Sequence, residues 1–289
     1  MTGDCVVGVD LGGTKLLAGV VDHDLRVHHR TRRTVAGIEQ GELLDRCVAA
    51  VEEAREAAPG EVRGVGFGIP CLIDQRRGVA VVAVNLELAG VRFRAIMAER
   101  LGLPVWVDND ANLAALAEHR HGAAQGTREA VLLTLGTGIG GGLILHGEVY
   151  RGATWAAGEM GHMVIAEDGP PCQGNCPSRG CLESLASGTA LARLATELAE
   201  THPSSGLGAA RAEGREITGP LVTELAHDGD AAALEALETV GRHLGVGIAS
   251  LVNIFNPEVV VIGGGVIAAG ELLLEPARRE MLARALPPS

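Results

Sequence analysis

The chain has 289 residues, with 36 acidic and 24 basic side chains for a net charge of −12; 47% of it is hydrophobic and only 2% aromatic. At roughly 150 residues per domain this is a globular chain of one or two domains, able to bury a core without disulfides or metal staples. The acidic balance, with no lysine-arginine run against it, argues against a nucleic-acid or anionic membrane partner, and so few aromatics leave no stacking platform for single strands.

In chain order, Cys5–Asp10 is an apolar strand, Leu11–Lys15 a turn and Leu16–Val21 a returning strand, with a polar third strand after Asp22-His23-Asp24. A helix is expected from about Glu42 to Ala58, where Leu44, Cys47, Val48, Val51 and Ala54 recur at helical spacing. Val62–Ile69 reads as a strand, Phe93–Leu101 as a helix, Pro104–Val107 as a strand and Ala111–His121 as a helix. The pattern then restarts. Glu129–Leu135 is an apolar strand, Gly136–Gly142 a glycine turn and Leu143–Leu145 a returning strand. The two hairpins lie about 125 residues apart, which suggests an internal duplication. Ser204–Gly208 reads as a surface loop. Asp230 should cap a long helix with apolar Leu234, Leu237, Val240, Leu244, Ile248, Leu251 and Phe255, stopped by Asn256-Pro257. Glu258–Ile262 is a buried-type strand ending in Gly263-Gly264-Gly265, and a last helix runs to about Ala285. The class is α/β, in two similar domains (1–123 and 124–289) with a cleft between them.

No run of about 18 apolar residues is present, so no membrane span is expected. The start lacks a basic leader, and Asp4 and Asp10 interrupt its apolar stretch, so the expected location is the cytoplasm. In that reducing compartment the six cysteines are thiols or metal ligands rather than disulfides. Cys5 and Cys47 are most simply core residues.

Three glycine turns each follow an apolar strand: Asp10-Leu11-Gly12-Gly13-Thr14-Lys15, Gly136–Gly142 and Gly263–Gly265. Each is either a plain turn or a phosphate cradle of converging N–H groups, to which Thr adds a donor and a strand-end Asp can add a Mg²⁺ contact. There is no G-x-x-x-x-G-K-[ST] motif. Gly136, Gly138 and Gly141 match G-x-G-x-x-G, but a dinucleotide fingerprint must open a helix, and here a strand follows. His162, Cys172, Cys176 and Cys181 form a Cys₃His set with the composition of a structural zinc site; the alternative is three unrelated thiols in a loop. Asp110, between a strand and a helix, is a helix cap or a catalytic base, two roles that are compatible. Glu159 and Glu183 flank the cysteine loop, as solvated surface groups or as rigidly held binding groups.

Taken together, Asp10–Lys15, Val107–Asn112, Leu135–Gly142, Gly158–His162, Cys172–Glu183 and Gly263–Gly270 resemble the ROK family (repressors, open reading frames, sugar kinases), and within it the bacterial glucokinases. The resemblance implies an actin-like, ribonuclease-H-type two-domain sugar kinase fold. It implies phosphorylation of the 6-hydroxyl of glucose by Mg-ATP, with Asp110 as general base. Asn109, Asp110, Glu159, His162 and Glu183 would bind the sugar. Asp10, Gly12, Gly13, Thr14, Lys15, Thr137 and Gly138 would serve Mg-ATP, with Gly264 and Gly265 near adenosine. His162, Cys172, Cys176 and Cys181 would hold zinc, and the protein would be a homodimer or homotetramer.

Three departures stand out. The cysteine spacing is C-x₃-C-x₄-C where the family usually has C-x-C-x₄-C, so the extra residues should bulge without losing a ligand. Cys71 replaces a usual glycine, which would strain the chain if its φ were positive. The sequence stops at Pro287-Pro288-Ser289, where relatives usually add a strand and a helix. The family also contains repressors with a helix-turn-helix domain ahead of the kinase-like part; a first strand beginning by Cys5 favours the kinase side. Other hexoses, or polyphosphate as donor, fit the same motifs.

Overall fold

The computed structural model describes residues 3–83 and 86–287; the chain-end residues Pro288 and Ser289 lie outside the described residues. The elements are β1 (Cys5–Leu11), β2 (Lys15–Asp22), β3 (Val27–Thr34), α1 (Gln40–Glu56), β4 (Val62–Ile69), β5 (Cys71–Asp74), β6 (Val79–Ala83), α2 (Phe93–Leu101), β7 (Val105–Asn109), α3 (Asp110–His121), β8 (Ala130–Leu135), β9 (Ile139–Leu145), β10 (Glu148–Val149), α4 (Leu182–Ala186), α5 (Gly188–Thr201), α6 (Gly206–Ala212), α7 (Gly219–His227), α8 (Ala231–Phe255), β11 (Val259–Gly263) and α9 (Glu271–Arg284). The chain divides into two compact units: Met1–Ala114 with Arg151–Ala157, and Ala115–Tyr150 with Gly158–Ser289.

The first unit is built on a five-stranded sheet of order β3-β2-β1-β4-β7. Alternation puts Cys5, Val7, Val9 and Leu11 of β1 into the core and leaves Val6, Gly8 and Asp10 outside. Helix α1 covers that apolar face with Leu43, Leu44, Cys47, Ala50, Val51 and Ala54. Phe67 and Phe93 meet edge-to-face beside it, with ring centroids 5.1 Å apart. Strands β1, β4 and β7 are mutually parallel, in a register that aligns Asp10 with Gly68 and Gly68 with Asp108. Their carboxyl ends therefore stop at one level, where open α/β sheets carry their sites.

The second unit has a four-stranded sheet of order β10-β9-β8-β11. Its pattern repeats part of the first sheet. An antiparallel hairpin, β8–β9, mirrors β1–β2, and parallel β11 stands beside β8 as β4 stands beside β1. The core is filled by α8, through Leu237, Val240, Leu244, Ile248 and Leu251, together with Leu133, Leu135, Leu191 and Leu273.

Several sequence expectations need correction. Strand β9 begins at Ile139, so the second glycine turn closes at Gly138; Gly140–Gly142 are strand residues paired with Leu132–Thr134. Strand β11 is half-buried along its length rather than fully buried, because it lies at the end of its sheet order. Residues 206–208 are not loop but the first turn of α6, capped by the Ser205 side chain. The β5–β6 hairpin was not anticipated; it turns through Asp74, whose Oδ1 accepts the N–H groups of Arg76 and Arg77. The G-x-G-x-x-G match does run into a strand rather than a helix, as expected.

Asp230 caps more than one helix. Its Oδ1 accepts from Ala233 N–H at the start of α8, and its Oδ2 accepts from Gly206 N–H at the start of α6, at 2.9 and 2.6 Å. Loss of a single cap typically costs about 1 kcal/mol. Asp230→Ala should therefore lower unfolding stability by about 2 kcal/mol, read as a shifted urea midpoint at unchanged slope.

Candidate active site and metal centre

At the end of β7 the chain turns directly into α3. The Asn109 side chain accepts the Asn112 N–H at 3.1 Å, which is the capping pattern, so Asn109 rather than Asp110 caps the helix. Asp110 is the first helical residue, and its Oδ1 accepts Ala111 N–H at 2.9 Å. Burial raises its pKa above the ordinary aspartate value, and the negative charge of Asp10 raises it further, against the opposing Ala111 hydrogen bond. Asp10 stands exposed at the end of β1, yet the protein mass around its carboxylate also raises its pKa. Cys71 lies against Asp110 as a buried thiol, its pKa pushed up to about 12 by burial and then by the Asp110 charge. The described non-glycine residues with positive φ are Leu25, His146, Trp155 and Asn256, so Cys71 carries none of the strain that its replacement of a glycine suggested.

Asp108, which the sequence reading passed over, underlies this junction. It is 5% exposed. Its Oδ1 accepts Asn109 N–H at 2.8 Å and faces the Asn112 amide at 3.5 Å. Its Oδ2 receives Arg151 through Nε at 2.9 Å and Nη2 at 2.5 Å. A buried carboxylate needs such a partner. No local pattern announces one, because the two residues are 43 positions apart.

Each of the first two glycine turns closes on a backbone bond from its first glycine, over different lengths: Gly12 N–H donates to Lys15 O three residues on, and Gly136 N–H donates to Gly138 O two residues on. Among the described residues the next N–H groups, of Gly13 and Thr14 and of Thr137 and Gly138, meet no backbone or side-chain acceptor. Amides left this way form an anion-binding concavity. Gly138 is closely packed, since a Cβ there would lie 2.2 Å from Glu183 Oε2 and displace the end of that side chain. Gly264 is more strictly constrained, with φ +90° and a would-be Cβ 2.4 Å from the backbone oxygen of Leu135. Register places it beside the second turn, since Gly263 pairs with Thr134. Gly265 follows in open space.

Glu183, expected on the sugar, is held by contacts within the protein. Its Oε2 accepts Ile139 N–H at 2.8 Å, and its Oε1 lies 3.9 Å from Cys172 Sγ. Glu159 and His162 bracket a single 3₁₀ turn, with the imidazole Nε2 4.0 Å from Glu159 Oε2. The other ring nitrogen, Nδ1, is 3.4 Å from Cys172 Sγ. Cys176 and Cys181 sulfurs are 3.9 Å apart, and one ligand atom from each of His162, Cys172, Cys176 and Cys181 lies within 4.8 Å of the others. With Zn–S near 2.3 Å, a tetrahedral edge is about 3.8 Å, so this set fits zinc closed on all four sides. The longer cysteine spacing is taken up at 173–175, where Cys176 N–H folds back on Gln173 O. Asp10, Gly12–Lys15, Asn109 and Asp110 thus sit in the first unit. Thr137, Gly138, Glu159, His162, the cysteines, Glu183, Gly264 and Gly265 sit in the second.

Comparison with known proteins agrees with this geometry. The ROK family profile matches residues 6–287. The chain belongs to the ROK family. This ROK chain is 37% identical to a glucokinase of Halalkalibacterium halodurans, over 97% of its own length and 86% of that protein. It superposes with a TM-score of 0.87 and 35% identity on a ROK glucokinase of Streptomyces griseus solved with glucose and AMPPNP, over 98% of this chain and 90% of that one. A ROK transcriptional regulator homologous to E. coli Mlc also matches, with a TM-score of 0.88 and 28% identity, over 99% of this chain and 71% of that one. The fold is that of the actin-like ROK sugar kinases. Among its described residues no helix is long and apolar enough to cross a membrane.

Breaking one side of the Asp108–Arg151 pair leaves a buried charge. Arg151→Met should destabilise the protein by roughly 2–3 kcal/mol, below the full buried-pair range because Arg151 keeps some solvent contact; thermal unfolding reads this. For the metal centre, purified protein should carry about one zinc per chain, and Cys176→Ser should lose it in a colorimetric zinc assay.

Proposed function

We infer that this ROK chain is an ATP-dependent glucokinase, transferring the γ-phosphoryl group of Mg-ATP to the 6-hydroxyl of glucose. The observation that carries this reading is Asp110, a carboxylate of raised proton affinity at the β7–α3 junction. It occurs in a chain that superposes at TM-score 0.87 on a glucokinase holding glucose and AMPPNP.

In this reading Asp110 takes the proton of the 6-hydroxyl as that oxygen attacks the γ-phosphorus; the bond to the β–γ bridging oxygen breaks, and ADP leaves with that electron pair. A raised pKa suits a general base, because it strengthens the pull on the proton. Asn109, fixed through its Oδ1 by Asn112 N–H, offers its amide group to the sugar. Glu159, His162 and Glu183 supply further sugar contacts. Gly12, Gly13, Thr14 and Lys15 of the first turn, and Thr137 and Gly138 of the second, hold phosphates, with Asp10 attending Mg²⁺ and Gly264 and Gly265 near the adenosine. Zinc, held by His162, Cys172, Cys176 and Cys181, supplies structural cross-linking. The ROK resemblance also supports a cytoplasmic enzyme that assembles as a homodimer or homotetramer, which light scattering would read directly.

The test is glucose-dependent ADP release with Mg-ATP. Asp110→Asn should lower kcat by about 10²–10⁴-fold. Equal turnover in the two proteins would sink the assignment of the base, and glucose binding without turnover in the unmodified protein would sink the kinase reading. The same variant carries a stability signature. The folded pKa of Asp110 is raised, so ionising it costs folding free energy, and that cost is present above the folded pKa and gone below the unfolded one. Asp110→Asn should therefore melt higher than the unmodified protein at neutral pH, and the difference should shrink as pH falls through the raised folded pKa and be gone below the ordinary aspartate value.

A further inference from the structure

The second glycine turn is held almost entirely by groups from the cysteine–histidine knot and the helix that follows it. Its Gly136 carbonyl accepts Gly188 N–H at 2.8 Å. Its Thr137 carbonyl accepts Gln173 Nε2 at 3.3 Å and Thr189 Oγ1 at 2.8 Å. The Gln173 amide also donates to Ser187 Oγ at 3.0 Å, and the fully buried Ser187 caps α5. On the other side of the turn, Ile139 N–H donates to Glu183. Gln173 follows the ligand Cys172, and Glu183 lies two residues after the ligand Cys181.

This arrangement has an electrostatic consequence. A peptide turn presents a positive face to an anion only when its carbonyls are turned away and satisfied. Here the Gly136 and Thr137 carbonyls are drawn toward Gly188, Gln173 and Thr189, and the Thr137 and Gly138 N–H groups are left without an acceptor among the described residues. Losing the Gln173 donor leaves the Thr137 carbonyl on Thr189 Oγ1 alone and weakens the hold that keeps its negative end away from the phosphate.

We propose that Gln173 is a positioning residue for the second phosphate turn: with Glu183 it anchors that turn to the cysteine–histidine knot, so that the integrity of the knot sets nucleotide affinity. The proposal rests on the kinase reading above. Gln173 touches neither reacting atom; it acts through the Thr137 carbonyl.

The test variant is Gln173→Met, which keeps the length of the side chain and removes the donor. Loss of one such bond should raise the KM for ATP by about 3–10-fold, with the KM for glucose and kcat changed less than about twofold and bound zinc unchanged. Calorimetric titration with a non-hydrolysable ATP analogue should show the same weakening without turnover. Gln173→Met combined with Thr189→Val should weaken analogue binding further, because both donors to Thr137 are then gone. Stripping zinc from the unmodified protein with a chelator should weaken analogue binding at least as much as Gln173→Met does. Unchanged analogue affinity in Gln173→Met, or a parallel rise of both KM values with loss of zinc, would overturn the proposal. An unmodified protein that neither binds the analogue nor turns over glucose would overturn the kinase reading itself, and this one with it.

Discussion

Parallel pairing is the constraint from which the rest of this molecule follows. Strands that run side by side in one direction finish at the same edge, and whatever follows them is gathered there. In the first unit β1, β4 and β7 deliver Asp10, Ile69 and Asn109 to such an edge. In the second, β8 and β11 deliver Leu135 and Gly263. The alternating apolar residues behind those ends fill the cores, so the pattern that stabilises each sheet also fixes the height at which its turns emerge. Packing and site geometry share one register.

That shared register brings polar groups into poorly solvated places, and the structure answers with specific partners. Asp108 reaches the edge on a buried face and is met by the guanidinium of Arg151. Asp110, two residues further on, has backbone N–H groups of the helix N-terminus, those of Ala111 and of Asp110 itself, to favour its charge. The two carboxylates sit two residues apart and receive opposite treatment: one is neutralised and locked, the other is left basic. Ionisation that opposes folding is what the proposed role of Asp110 as a base would draw on.

Much of this was legible in the sequence because it is written in local pattern. Val62–Ile69 was read to its ends as a short apolar run, and α8 from the Asp230 cap, its apolar period and the Asn256-Pro257 stop. The Cys₃His set was legible by residue type, and its four ligand atoms do converge. The helices between Leu182 and His227 went unread although Ser187, Ser205 and Thr218 each cap one of them. The partner of Asp108, the internal contacts of Glu183 and the reach of Gln173 could not be read at all. Each joins residues far apart in sequence, and such pairings exist only once the sheets have set their register. The half-buried state of β11 follows from its place in the sheet, which no apolar run encodes.

The two related hairpins also differ in how easily they can be altered by descent. In the first, the Thr14 carbonyl is secured by the main-chain N–H of Val35, a donor that almost any residue at that position supplies. In the second, the corresponding task falls to the side chains of Gln173 and Thr189. A backbone tether is indifferent to substitution; a side-chain tether can be lengthened, weakened or exchanged by a single codon. The first turn therefore keeps its tether through almost any substitution at position 35, whereas the second keeps its own only while Gln173 and Thr189 retain their donors.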